Sequence, residues 1–159
     1  MHTMSSKGKE IRIPGPDHPI TISLAEGKVR VTVAGRIIAE STQALRLEEK
    51  GYPSAYYLPR NDADMSLLVR TNHYTYCPYK GDCTYYSIPI GGAKSECAVW
   101  TYEKPYEAVA DIREYPGVLS LTGRSNRSDL LNTFARSSAV CSFRTTQHDM
   151  EGNIYDRDF

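Results

Sequence analysis

The sequence predicts an all-β fold, a small barrel or sandwich with two short helices attached, and three observations carry that expectation. From Pro19 onward, short segments rich in β-branched and aromatic residues recur along the chain. Turn residues separate them at frequent intervals, the pattern of barrels and sandwiches. The aromatic content is dominated by tyrosine, 12 against 3 Phe and 1 Trp, and a ring with a polar tip suits both a sheet surface and the wall of a wet cavity.

Taken in order, Ile20, Ile22 and Leu24 alternate with polar residues, as do Val29, Val31 and Val33 after Glu26-Gly27, which reads as a hairpin. Ala34-Gly35 turns the chain into a strand over 36–41 around Ile37 and Ile38, and a fourth strand over 44–48 alternates through Leu45 and Leu47. A short strand over 56–58 ends at Pro59, which cannot donate to an interior ladder. Asn61 or Asp62 can cap a short helix through Met65, Leu67 and Leu68. Strands follow over 74–77, 83–90 and 97–103, with Gly91-Gly92 turning between the last two. Pro105 suits the first position of a second helix over 106–113, stopped before Pro116-Gly117. The division expected is a flexible segment over 1–13, one domain over 14–121 and a polar, weakly ordered tail over 122–159, in which Ser128 can cap a short helix through Leu130, Leu131 and Phe134.

A chain of 159 residues fits one domain and should bury roughly 68 to 70% of the surface its unfolded form exposes. The 19 basic residues balance 19 acidic ones, so no nucleic-acid or anionic membrane partner is expected. With no apolar run near Met1 and no stretch of roughly 20 apolar residues, a soluble cytoplasmic protein is expected. Cys77, Cys83, Cys97 and Cys141 contain no C-x-x-C pair, which argues against zinc and for reduced thiols. No metal or cofactor is expected.

The most distinctive stretch runs Thr71-Asn-His-Tyr-Thr-Tyr-Cys77-Pro78-Tyr79-Lys80-Gly81, followed by Tyr85-Tyr86-Ser87 and Trp100-Thr-Tyr102-Glu-Lys-Pro105. Upstream stand Gly15-Pro16-Asp17-His18-Pro19, Tyr57-x-Pro59 and Asp62-x-Asp64-Met65. These motifs, linked over about 14–115, resemble the DUF427 family, with its Cys-Pro-x-Lys-Gly turn, Tyr-Tyr-Ser strand and Trp-x-Tyr-x-x-Pro strand end. The resemblance implies a compact all-β fold, a small Mss4-like barrel or tent-like sheet, no established activity, and a nucleotidyltransferase-like label. The chain departs from the family after the second helix. The Phe-Tyr pair of the closing strand is absent, and Pro116-Gly117-Val118-Leu119-Ser120-Leu121 is left to begin that strand.

The Cys77–Gly81 turn holds a thiol and an amine in fixed relation, and two readings stand side by side. In one, Cys77 is a nucleophile or redox thiol tuned by Lys80 and His73. In the other, Cys77 is a small buried apolar residue and Lys80 lies over a tyrosine ring. Successive strand residues face opposite ways, so Tyr85 and Tyr86 must part while Trp100 and Tyr102 share a face. Tyr57, Tyr76, Tyr85, Trp100 and Tyr102 then either line a ligand pocket anchored by Lys80 or fill a small core. For nucleotide transfer, Asp62, Asp64 and Gly91-Gly92-Ala93-Lys94-Ser95 are the available groups, but the phosphate-loop spacing is absent. His18 and His148 read as surface residues. The reading placed first is a small-molecule-binding module. An enzyme using Cys77, a nucleotidyltransferase-like activity and a structural or interaction domain are the alternatives, and the oligomeric state is left open.

Overall fold

The period-two segments form strands, but they pair differently from their order along the chain. The computed structural model describes residues 2–4 and 8–119; the expected tail and its Ser128-capped helix lie outside the described residues. The strands are β1 (His2–Met4), β2 (Glu10–Arg12), β3 (Ile20–Leu24), β4 (Val29–Val33), β5 (Arg36–Ser41), β6 (Leu45–Glu49), β7 (Ala55–Tyr57), β8 (Val69–Cys77), β9 (Gly81–Ser87), β10 (Val99–Thr101) and β11 (Gly117–Leu119). Among the described residues, β3, β6, β7, β11, β10, β9 and β8 lie side by side in that order in one antiparallel sheet, while β4 pairs with β5 and β1 with β2.

The hairpin expected between β3 and β4 is therefore not formed. The Ala25 amide bonds the Ala44 carbonyl at 2.8 Å, which joins the end of β3 to the start of β6. The chain between them leaves the sheet as the β4–β5 hairpin, turned at Ala34 and Gly35, both with positive φ. The closing strand left in doubt by the missing Phe-Tyr pair is present as β11. It sits at the centre of the sheet, pairing Val118 with Tyr56 and Gly117 with Trp100.

Both predicted helices are 3-10 turns. Arg60–Asp62 and Met65–Leu67 replace the first, and the cap is Asp64, which accepts from the Ser66 amide at 3.1 Å, rather than Asn61 or Asp62. Glu107–Ile112 replaces the second, with a break at Val109. The expected Gly91-Gly92 hairpin turn is a 3-10 segment, Pro89–Ser95, with Gly92 at φ 64°.

Strand alternation sorts the apolar residues onto two faces. On one, Tyr56, Tyr86, Val99 and Val118 pack with Val29, Val31 and Ile38 of the β4–β5 hairpin. On the other, Tyr57, Cys77, Cys83, Tyr85, Trp100 and Tyr102 pack with Leu47 and with Val109 and Ile112 of the last 3-10 turn. At roughly 1.5 to 3 kcal/mol per fully buried aliphatic or aromatic side chain, these two layers dominate the favourable side of folding.

Candidate functional site

The β8–β9 turn is built to send one charged side chain inward. Cys77 and Gly81 are the last paired residues of the ladder, and the Lys80 amide closes the turn on the Cys77 carbonyl at 3.2 Å. Gly81 has φ 110°, and a Cβ there would lie 3.2 Å from the Lys104 carbonyl oxygen, so glycine meets both the backbone angle and the close approach. The Tyr106 amide bonds the Lys80 carbonyl at 3.0 Å, tying the turn to the segment before the last 3-10 turn. The N-terminal strand β2 also grips it: the Arg12 amide donates to the Pro78 carbonyl at 2.9 Å, and Lys9 pairs with Asp82.

The Lys80 ammonium lies within the core, its side chain 4% exposed, 2.5 Å from Oε2 of the Glu49 carboxylate, which is 2% exposed. The other oxygen, Oε1, is 2.7 Å from Nε2 of His18, whose side chain is 17% exposed. His18 stacks on Tyr79 with ring centroids 4.2 Å apart and planes 9° from parallel. Burial disfavours the Lys80 ammonium, but the sulfur of Cys77 and the carboxylate of Glu49 outweigh that penalty and hold it above the ordinary lysine value. Glu49 ends β6 and pairs with Ile20 of β3, whereas Lys80 follows β8. The triad thus bridges two opposite ends of the sheet order, and the sheet curls enough to bring them together.

Around this triad the Trp100 indole N–H donates to the Tyr57 hydroxyl at 2.9 Å. The hydroxyls of Thr75 and Tyr85 are 2.8 Å apart, and the Tyr102 ring centroid is 5.9 Å from Lys80 Nζ. Burial pushes the Tyr57 and Tyr102 phenols well above the usual tyrosine range. His73 lies against Tyr85 with centroids 4.7 Å apart, on the same strand phase as Thr75 and Cys77.

Of the residues singled out in the sequence, Cys77, Lys80, Tyr57, Tyr85, Trp100 and Tyr102 meet on one face, with His73 beside Tyr85. Tyr76 is on the opposite phase, where its hydroxyl bonds the Tyr106 hydroxyl at 2.7 Å and the Glu10 carbonyl, so it does not line this cluster. The meeting place is closed: Cys77 is 0% exposed, and none of the other five exceeds 8%. Cys77 and Cys83 are reduced thiols, as expected of them. A separate cleft of about 580 Å³ opens elsewhere, between Val69, Thr71, Ile88, Pro89 and Glu96.

Two members of the triad escaped the sequence reading. His18, taken as a surface residue, is held against Glu49 and Tyr79. Glu49 carried a usable signal, because Leu45, Leu47 and Glu49 share one strand phase and a carboxylate therefore falls on the inward phase of β6. His18 stood only within the Gly15–Pro19 motif, and its place depends on a two-bond loop closure between Gly15 and His18 that alternation does not reveal.

The groups that suggested nucleotide transfer have local structural work. The Asp62 carboxylate accepts from the Ser41 hydroxyl at 2.6 Å, and Asp64 caps its 3-10 turn. The Gly91-Gly92 segment joins two strands, and a Cβ on Gly91 would collide with the Ser95 side chain. Among the described residues no group of three or more His, Cys, Asp or Glu is placed to hold a metal ion, and no helix is long and apolar enough to cross a membrane.

No curated protein matches the chain. Residues 21–122 match the family described as "Domain of unknown function (DUF427)". That span runs from β3 past β11 and contains the Cys77–Gly81 turn, Glu49 and the whole aromatic cluster, and on it the chain belongs to the DUF427 family.

Proposed function

We propose that this domain is a small-molecule-binding module whose site is centred on the Cys77–Gly81 turn, with Lys80 as the anchoring charge and Tyr57, Tyr85, Trp100 and Tyr102 as walls. One observation carries the reading: a lysine and a glutamate are kept as an ion pair inside an aromatic cluster. Taking two charges out of water costs several kcal/mol per ion, and packed apolar residues of similar volume often do as well or better. A charged pair retained there is better placed to exchange partners with a ligand than to add stability. His18, the one member of the triad with appreciable exposure, marks the side from which a ligand would reach Lys80.

The test is a thermal-shift screen of metabolites and nucleotides on the wild type and on Lys80→Met. A binder present at 100 times its Kd stabilises by about 2.7 kcal/mol, well within detection, and Lys80→Met should abolish that shift while remaining folded. A screen that leaves the wild-type melting temperature unchanged, or a hit indifferent to Lys80, overturns the reading.

The Cys77 enzyme reading ranks second because the sulfur, like Lys80, is closed off from solvent, whereas the Lys80–Glu49 pair has the part-exposed His18 beside it as a route in. A nucleotidyltransferase-like activity draws no support from Asp62, Asp64 or the Gly91-Gly92 segment, all committed to local structure.

A further inference from the structure

The ring stacked on Tyr79 belongs to the chain itself, and its surroundings resemble a receptor holding a ligand. His18 lies flat on Tyr79, 4.2 Å away and 9° from parallel, while Tyr52 closes the slot from another side at 6.4 Å with a 57° tilt. At the floor, Glu49 Oε1 is 2.7 Å from Nε2. An ionised carboxylate can only accept, so the imidazole must donate there. The other oxygen of that carboxylate is taken by Lys80, which leaves the floor close to neutral as a unit and removes any strong demand for a cation above it. What the slot specifies is therefore shape and one donor: a flat ring with an in-plane N–H directed at Glu49.

The attachment of the occupant is slight. His18 ends a small loop held by two bonds, from the Gly15 amide to the His18 carbonyl at 3.3 Å and from the His18 amide to the Gly15 carbonyl at 3.0 Å. Beyond it the Lys50 amide bonds the Pro19 carbonyl at 3.3 Å and the Lys50 ammonium bonds the Asp17 carbonyl at 3.1 Å. Opening the Gly15–His18 pair together with the Asp17–Lys50 bond would let the ring swing out without breaking the β3–β6 ladder, which begins at Ile20.

We infer that the slot between Tyr52 and Tyr79, above Glu49, is a binding site for a planar nitrogen heterocycle carrying an N–H donor, with His18 as its in-chain occupant, displaced when such a ligand binds. This rests on the binding-module reading and adds to it the chemical class of the ligand and the residue that competes with it. Tyr79 supplies the stacking face, Glu49 the acceptor, and the Lys80 ion pair fixes the orientation of that acceptor.

The test compares imidazole, pyrazole, cytosine and adenine with saturated pyrrolidine, on the wild type and on His18→Gly, by thermal shift. The ring resonances of His18 in the wild type are followed by proton NMR. The emptied slot of His18→Gly should take a planar heterocycle at least about tenfold more tightly than the wild type, which must first expel its own ring. In the wild type the same compound should bind measurably and release the ring-current shift that Tyr79 imposes on His18. Tyr79→Leu, which keeps His18, should weaken wild-type binding by about tenfold and serves if His18→Gly does not fold. Equal binding of pyrrolidine, equal affinity in both proteins, or no heterocycle binding to the wild type up to solubility overturns the inference. A ligand that binds the wild type and depends on Lys80 without moving the His18 resonances overturns it and leaves the module reading standing. Heterocycle binding that displaces His18 but is unaffected by Lys80→Met supports the slot and overturns Lys80 as the anchoring charge of the module.

Discussion

Removing Glu49 should cost more than removing Lys80, although the two form one ion pair. In Glu49→Leu the ammonium keeps a side chain only 4% exposed and loses its carboxylate, with the Tyr102 ring 5.9 Å away as a remaining favourable contact. Breaking a buried pair from one side costs about 3 to 5 kcal/mol. For a domain of this size that lowers the melting temperature by about 10 to 20 °C. In Lys80→Met the carboxylate still has Nε2 of His18 at 2.7 Å as a hydrogen-bond donor, so the cost should fall to about 1 to 3 kcal/mol. The double variant Glu49→Leu/Lys80→Met buries no orphaned ion and should lie within about 1 kcal/mol of the wild type. Urea denaturation followed by the fluorescence of Trp100, the single tryptophan, measures all three against one reference. A double variant as unstable as the sum of the single ones, or a Glu49→Leu cost below about 1 kcal/mol, refutes the reasoning, because the pair would then not be energetically coupled inside the core.

Three further outcomes follow from the same geometry. The phenols of Tyr57 and Tyr102 and the ammonium of Lys80 all hold their protons more tightly in the folded state than at the ordinary values of 10.0 and 10.5. Their contribution is therefore complete below pH 10 and is lost as the pH rises through the folded values, so denaturation midpoints should fall above pH 10, with these two tyrosines ionising only as the protein unfolds; early ionisation of every tyrosine would contradict this. Gly117→Ala places a Cβ 2.6 Å from the Trp100 indole nitrogen and 2.8 Å from Cε1 of Tyr57, so a loss of about 1 to 3 kcal/mol with a shifted Trp100 emission is expected, and unchanged emission would sink it. Alkylation of Cys77, fully buried, should track the opening of the structure in urea; rapid labelling under native conditions would revive the reactive-thiol reading.

Much of the fold was legible because alternation is a local property. The two faces of the sheet follow from it: Tyr85 and Tyr86 part, and Trp100 and Tyr102 stay together. Strand partnership was not legible in the same way. Glu26-Gly27 carries a hairpin signal, yet β3 pairs with β6 over five residue pairs, while β4 takes β5 as its partner across the Ala34-Gly35 turn. The short helices failed for a related reason: each spans so few residues that 3-10 geometry closes it without the helical hydrogen bonds a cap would nucleate. At the candidate site, Cys77 and Lys80 were visible through the turn chemistry of Pro78 and Gly81. Glu49 joins Lys80 from 31 positions away and His18 joins Glu49 from another 31, and only the curl of the sheet makes them neighbours.

The central place of β11 bears on how the chain is made. Its three residues join β7 to β10, so a nascent polypeptide that has not yet emerged past Leu119 holds two half-sheets with bare inner edges and no seam between them. Ribosome-stalled chains ending before Gly117 should therefore be protease-sensitive and prone to associate through those edges. Extending them by the few residues of β11 should convert them to a resistant form in a single step.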